Sequence, residues 1–87
     1  MHIDGLVIAK HNNDYVIEQF LTGYKYLVPK EKLLFEKDRD GKALKRRGKF
    51  SVRVENVEQG SNAKKLHRAN DEKKGTIRID GNIYYVN

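Results

Sequence analysis

Three kinds of side chain in this sequence are equipped for chemistry: clustered cations, tyrosines, and a scatter of acids and histidines. Lys42, Lys45, Arg46, Arg47 and Lys49 crowd one short stretch, Arg53 follows, and Lys64, Lys65, His67 and Arg68 make a second group. Guanidinium forks grip phosphate oxygens in pairs and ammonium groups act beside them as point charges, so this residue set suits a nucleic-acid backbone. Tyr15 and Tyr26 would add flat faces on which a base can stack. The candidate nucleic-acid-binding residues are therefore Tyr15, Tyr26, Lys42, Lys45, Arg46, Arg47, Lys49, Arg53, Lys64, Lys65, His67 and Arg68. The same cations would equally form a solvated face or a docking surface for an acidic protein.

No catalytic residue is assigned. His2, His11 and His67 lack metal-ligand spacing, and Ser51 and Ser61 fall in a strand and a turn without a nucleophile signature. Glu36, Asp38, Asp40 and Gly41 open like a calcium loop, but the acid required at the twelfth position is Arg47. The segment reads instead as a turn held by Asp-x-Asp-Gly. No metal, cofactor or enzymatic activity is expected.

Charge distribution sharpens the binding reading. Of the net charge of +6, residues 42 to 74 hold eleven Lys and Arg against four Asp and Glu, a balance of +7, and the remainder seven against eight, or −1. An excess confined to one segment is the footprint of a polyanionic partner, because phosphate neutralisation with counterion release drives non-specific binding. The absence of cysteine from the sequence removes disulfides, thiolate zinc sites and thiol nucleophiles. The opening residues run straight into a strand pattern without a leader, and no stretch is long and apolar enough to span a membrane, so a cytoplasmic location is expected.

Short strands must position these groups. Gly5 to Lys10 is apolar and β-branched, the cluster His11 to Asp14 turns the chain, and Tyr15 to Phe20 alternates as a strand. Thr22-Gly23 makes a corner before Tyr24 to Val28, which ends at Pro29, the single proline. Lys30 to Glu36 consists mainly of helix formers and predicts one or two helical turns packed through Leu33 and Leu34. Lys37 to Gly48 reads as a mobile loop. Phe50, Val52 and Val54 alternate strictly with Ser51, Arg53 and Glu55, the clearest half-buried strand in the chain. Gln59 to Asn62 predicts a turn and Ala63 to Arg68 a fifth strand. After a polar connection at 69–74, Asp80-Gly81-Asn82 between two β-branched and aromatic runs predicts a C-terminal hairpin at 75–86.

The expectation is one domain over 1–87, all-β: a small five-stranded OB-like barrel at 3–68, with one short helix after the third strand and a C-terminal β-hairpin. An 87-residue chain without disulfides gains only roughly 3–5 kcal/mol from its core, and barrel closure is the expected remedy.

Particular residues of the barrel segment resemble the cold-shock class of the OB fold. Gly5-Leu6-Val7 matches its Gly-x-Val start, Tyr26-Leu27-Val28-Pro29 its strand before the helix, and Gly48-Lys49-Phe50-Ser51-Val52-Arg53-Val54 with Gly60-Ser61-Asn62-Ala63 its closing strand-turn-strand. The resemblance implies binding of single-stranded RNA or DNA. Ile8, Ala9 and Lys10 replace the Lys-Trp-Phe of that class, and its second-strand aromatic motif survives only as Tyr15. Barrels like bacterial translation initiation factor one, which lean on Lys and Arg more than on aromatics, are also similar. The alternative function is a small interaction module that docks its basic surface or terminal hairpin on an acidic protein and modulates it.

Overall fold

The computed structural model describes residues 1–59 and 62–86. Three strands, β1 (Ile3–His11), β2 (Asp14–Gln19) and β3 (Lys25–Pro29), form an antiparallel meander at its centre. The first turn places Asn12 at φ 54, a left-handed conformation that Asn tolerates, and the second places Gly23 at φ 73. Beyond β3 come β4 (Leu34–Phe35), β5 (Lys45–Arg46), β6 (Lys49–Val54), β7 (Lys64–Arg68), β8 (Ile77–Ile79) and β9 (Asn82–Val86). All pair antiparallel in the order β4-β6-β1-β2-β3-β7-β9-β8, with β5 joined to β6. The β5–β6 and β8–β9 hairpins close on two-residue loops, Arg47-Gly48 and Asp80-Gly81, with positive φ at both positions. That conformation matches the twist of the flanking strands.

The all-β class holds, and the details differ from expectation. There are nine strands rather than five. Two of the additions, β4 and β5, are two-residue pieces in segments read as helix and loop, too short for any alternating pattern to register. The helix after β3 is a single 3-10 turn, Lys30–Lys32, with no buried residue. Pro29 precedes it and Leu33 already has extended φ and ψ of −85° and 129°, so the chain returns to strand geometry before an α-helical turn can close. Leu33 is buried as expected, while Leu34 is exposed. The sheet does not close on itself: β4 and β8 are its two ends among the described residues. The expected turn at Gln59 to Asn62 includes Gly60 and Ser61, which lie outside the described residues.

Packing on both faces of the central meander takes the place of closure. On one face Ile3, Ile17, Val28, Leu33, Val52 and Val54 form a core, and Tyr15, Tyr26 and Phe35 pack against it. On the other, Val16, Leu66, Ile77, Ile79 and Tyr84 form a second, joined by Ile8, Ala9 and Leu27. Side chains alternate across a strand, so β2 sends Ile17 to the first core and Val16 to the second. The sheet is thus a curled half-barrel with the first core on one face of the meander and the second on the other. A β-bulge assists: between Val7, paired with Ile17, and Ala9, paired with Val16, β1 holds one extra residue. Val7 therefore serves the first core while Ile8 and Ala9 serve the second. The C-terminal hairpin belongs to the continuous sheet and supplies most of the second core. The result is an elongated body of 44 × 29 × 24 Å. No helix among the described residues is long and apolar enough to cross a membrane.

Candidate nucleic-acid interface

The two basic groups sit on different parts of the sheet. The turn predicted at Gln59 to Asn62 would join the strands bearing them as a hairpin and merge the groups, but β6 and β7 do not pair with each other among the described residues and have β1, β2 and β3 between them. The connection comes instead through the β2–β3 turn. Arg46 on β5 places its guanidinium 5.5 Å from the centroid of the Phe20 ring, at one end of that turn. Lys65 on β7 places its Nζ 3.6 Å from the centroid of the Tyr24 ring, at the other end. Each basic group therefore touches one aromatic end of the same turn.

Hydrogen bonds hold the turn in shape. Gly23 donates its amide to the Gln19 carbonyl at 2.9 Å, Gln19 donates to Tyr24 O at 2.9 Å, and the Thr22 hydroxyl bonds Gln19 Oε1 at 2.8 Å. Phe20 is anchored by its amide to the Asp4 carbonyl at 3.0 Å. Tyr24 is 47% exposed, Phe20 43% and Leu21 at the tip 95%.

From Tyr24 the exposed aromatic and cationic side chains continue across the sheet. Tyr26 is paired with Lys65, and His67 with Tyr85, so Lys65, His67 and Tyr85 share the face to which Tyr26 belongs. The His67 and Tyr85 rings lie 5.5 Å apart, tilted by 33°. Tyr85 is 40% exposed, whereas its neighbour Tyr84 is only 7% exposed and belongs to the second core. Tyr24 and Tyr85 thus flank Lys65 and His67 on this face, each tyrosine ring beside one of them.

The remaining candidates are placed as follows. Tyr15 and Tyr26 share a face but are half-buried against the first core, and partial desolvation raises the Tyr26 hydroxyl above its usual pKa, with Tyr24 adding to the effect. Tyr15 also edges a recess of about 290 Å³ with Phe35 and Phe50. Lys45 lies 4.7 Å from the Phe50 ring centroid and Arg68 5.9 Å from that of Tyr84. Arg47 occupies a hairpin turn, and Lys49, paired with Arg46, is exposed. Lys42 is exposed in a loop where Asp38 Oδ1 accepts the amides of Asp40 at 2.9 Å and Lys42 at 3.0 Å. Lys64 is exposed beside Asp14, Leu27 and Pro29.

Arg53 differs from the other cations. Its Nε and Nη2 donate to the two carboxylate oxygens of Asp4 at 2.7 and 3.2 Å, which holds Asp4 below its ordinary pKa and raises Arg53. A guanidinium already forked onto a carboxylate is a poor phosphate ligand. Lys42, Lys45, Arg46, Arg47, Lys49, Lys64, Lys65 and Arg68 have no carboxylate partner among the described residues.

Tyr15 and Tyr26, the tyrosines proposed for stacking, are half-buried, whereas Tyr24 and Tyr85 are more exposed, and Phe20 is not among the residues proposed from the sequence. Alternation does separate Tyr84 from Tyr85, but telling Tyr24 from Tyr26 requires knowing where β3 begins. Compared with family models, curated proteins and solved structures, the chain matches none.

Proposed function

We propose that this chain is a non-catalytic protein that binds single-stranded RNA or DNA across the β2–β3 turn, β7 and Tyr85, on a curled sheet of OB-like kind. The observation that carries the reading is the group Tyr24, Lys65, His67 and Tyr85, two exposed tyrosine rings flanking a lysine and an imidazole on one face. Magnitudes favour its use as a stacking platform. An exposed cation–π contact is worth about 0.5–1 kcal/mol, whereas a stacked base contributes about 1–3 kcal/mol. A base can therefore displace Lys65 from Tyr24 and leave the ammonium to meet a phosphate. Arg46 beside Phe20, with its partner Lys49, extends the positive potential beyond the turn, and Lys45 adds to it from the other face of β5.

The alternative, a module docking on an acidic protein, draws on the same cations. The terminal hairpin contributes less to it, because Ile77, Ile79 and Tyr84 are committed to the second core. Fluorescence-anisotropy titrations of labelled single-stranded RNA, single-stranded DNA and duplex DNA across a salt series test the proposal. Micromolar or tighter single-strand binding that weakens as salt rises is expected. An absence of binding at low salt sinks the proposal and turns attention to an acidic protein partner.

A further inference from the structure

A recess of about 640 Å³ lies along the 69–76 segment that carries the chain from β7 to β8, and meets the group just described at Tyr85. Its volume is in the range that small-molecule sites occupy. Arg68, Lys73 and Lys74 line it against a single carboxylate, Asp71, an excess of two positive charges. The neighbouring Glu72 is paired with Arg78 at 3.2 Å. The segment is built rather than loose: Ala69 donates to Ile83 O at 2.8 Å, and the Thr76 hydroxyl donates to Lys73 O at 2.7 Å. Tyr85 and Val86 also line the cavity, adding an aromatic ring and an apolar surface to the cationic set.

We propose that this cavity binds a nucleotide bearing a terminal phosphate monoester. The phosphate would lie among Arg68, Lys73 and Lys74, and the base against Tyr85. A phosphate monoester carries a charge of about −2 at neutral pH, which matches the excess of the lining. A mixed lining of cations, one ring and an apolar residue suits phosphate joined to a base better than phosphate alone. Two sources share this chemistry: a free mononucleotide, and the phosphorylated end of a strand. The second rests on the binding proposed above, because Tyr85 belongs to both that group and the cavity.

The test compares oligonucleotides of one sequence ending in 5′-phosphate, 3′-phosphate or hydroxyl groups, with adenosine monophosphate and inorganic phosphate titrated separately and followed by amide NMR shifts. One phosphorylated end should tighten binding about tenfold, and K73A/K74A should remove that gain while leaving the hydroxyl-ended strand within about twofold. Adenosine monophosphate should shift amides of residues 68–76 and 85. Shifts from the mononucleotide without any strand binding would support the cavity as a mononucleotide site and overturn the function proposed above. Strand binding with neither a phosphate gain nor mononucleotide shifts would overturn the cavity proposal alone. Equal affinity for inorganic phosphate and the mononucleotide would overturn the role given to Tyr85.

Discussion

Lys65 Nζ stands 3.6 Å from the centre of the Tyr24 ring, joining the start of β3 to β7 on the face that also carries His67 and Tyr85. If this is a platform for bases, its aromatic members act through binding and contribute little to folding. Tyr24→Ala and Tyr85→Ala are each expected to weaken single-strand binding roughly tenfold, with thermal stability nearly unchanged. Tyr15→Ala and Tyr26→Ala should instead lower stability, since both rings pack on the first core. Parallel anisotropy and thermal-melt measurements on the four variants separate the two roles.

Gly5 is the most closely approached of the described glycines. A Cβ added there would lie 2.2 Å from the Glu18 carbonyl oxygen and 2.8 Å from its carbon, both backbone atoms of the paired strand. Neither can rotate away as a side-chain tip would. Gly5→Ala is expected to destabilise the protein by about 3 kcal/mol or more, read as a lowered urea midpoint.

The second core makes the C-terminal hairpin integral to the fold. Ile79 is 4% exposed among Val16, Leu66, Ile77 and Tyr84. Ile79→Ala should cost about 2–4 kcal/mol. Fluorescence and circular dichroism should still report one coincident transition, because the two cores share β1, β2 and β3.

The Asp4–Arg53 pair gives a defined pH response. Arg53's hydrogen bonds hold the folded Asp4 carboxyl below its ordinary value of 3.8, against partial desolvation that acts the other way. A depressed folded pKa stabilises above the unfolded value and loses that contribution as pH falls through the folded one. Both partners are substantially exposed, so screening limits the effect. Asp4→Asn is expected to lose about 0.5 kcal/mol at neutral pH. The difference should shrink as the solution is acidified below the carboxylate range, as measured by urea unfolding at several pH values.

Much of this architecture is legible in the residues themselves. Alternation in Phe50-Ser51-Val52-Arg53-Val54 and the Asp80-Gly81 turn locate β6 and the last hairpin, whose register follows. Leu34-Phe35 and Lys45-Arg46 escape because two-residue strands carry no period and are defined only by pairing with β6. The two-core arrangement escapes for a different reason. Val16 and Ile17 are both buried, and adjacent apolar residues alone do not say that each face of a strand has its own core. The basic groups are visible in the sequence, but their link through Phe20 and Tyr24 depends on which strands are neighbours.

Amide NMR mapping of the full chain with a short single-stranded oligonucleotide tests the proposed strand path most directly. The largest shifts are expected on residues 20–24, on Lys65 and His67 of β7, and on Tyr85, with smaller ones at Lys45 and Arg46. Shifts centred elsewhere, or none at low salt, would contradict it.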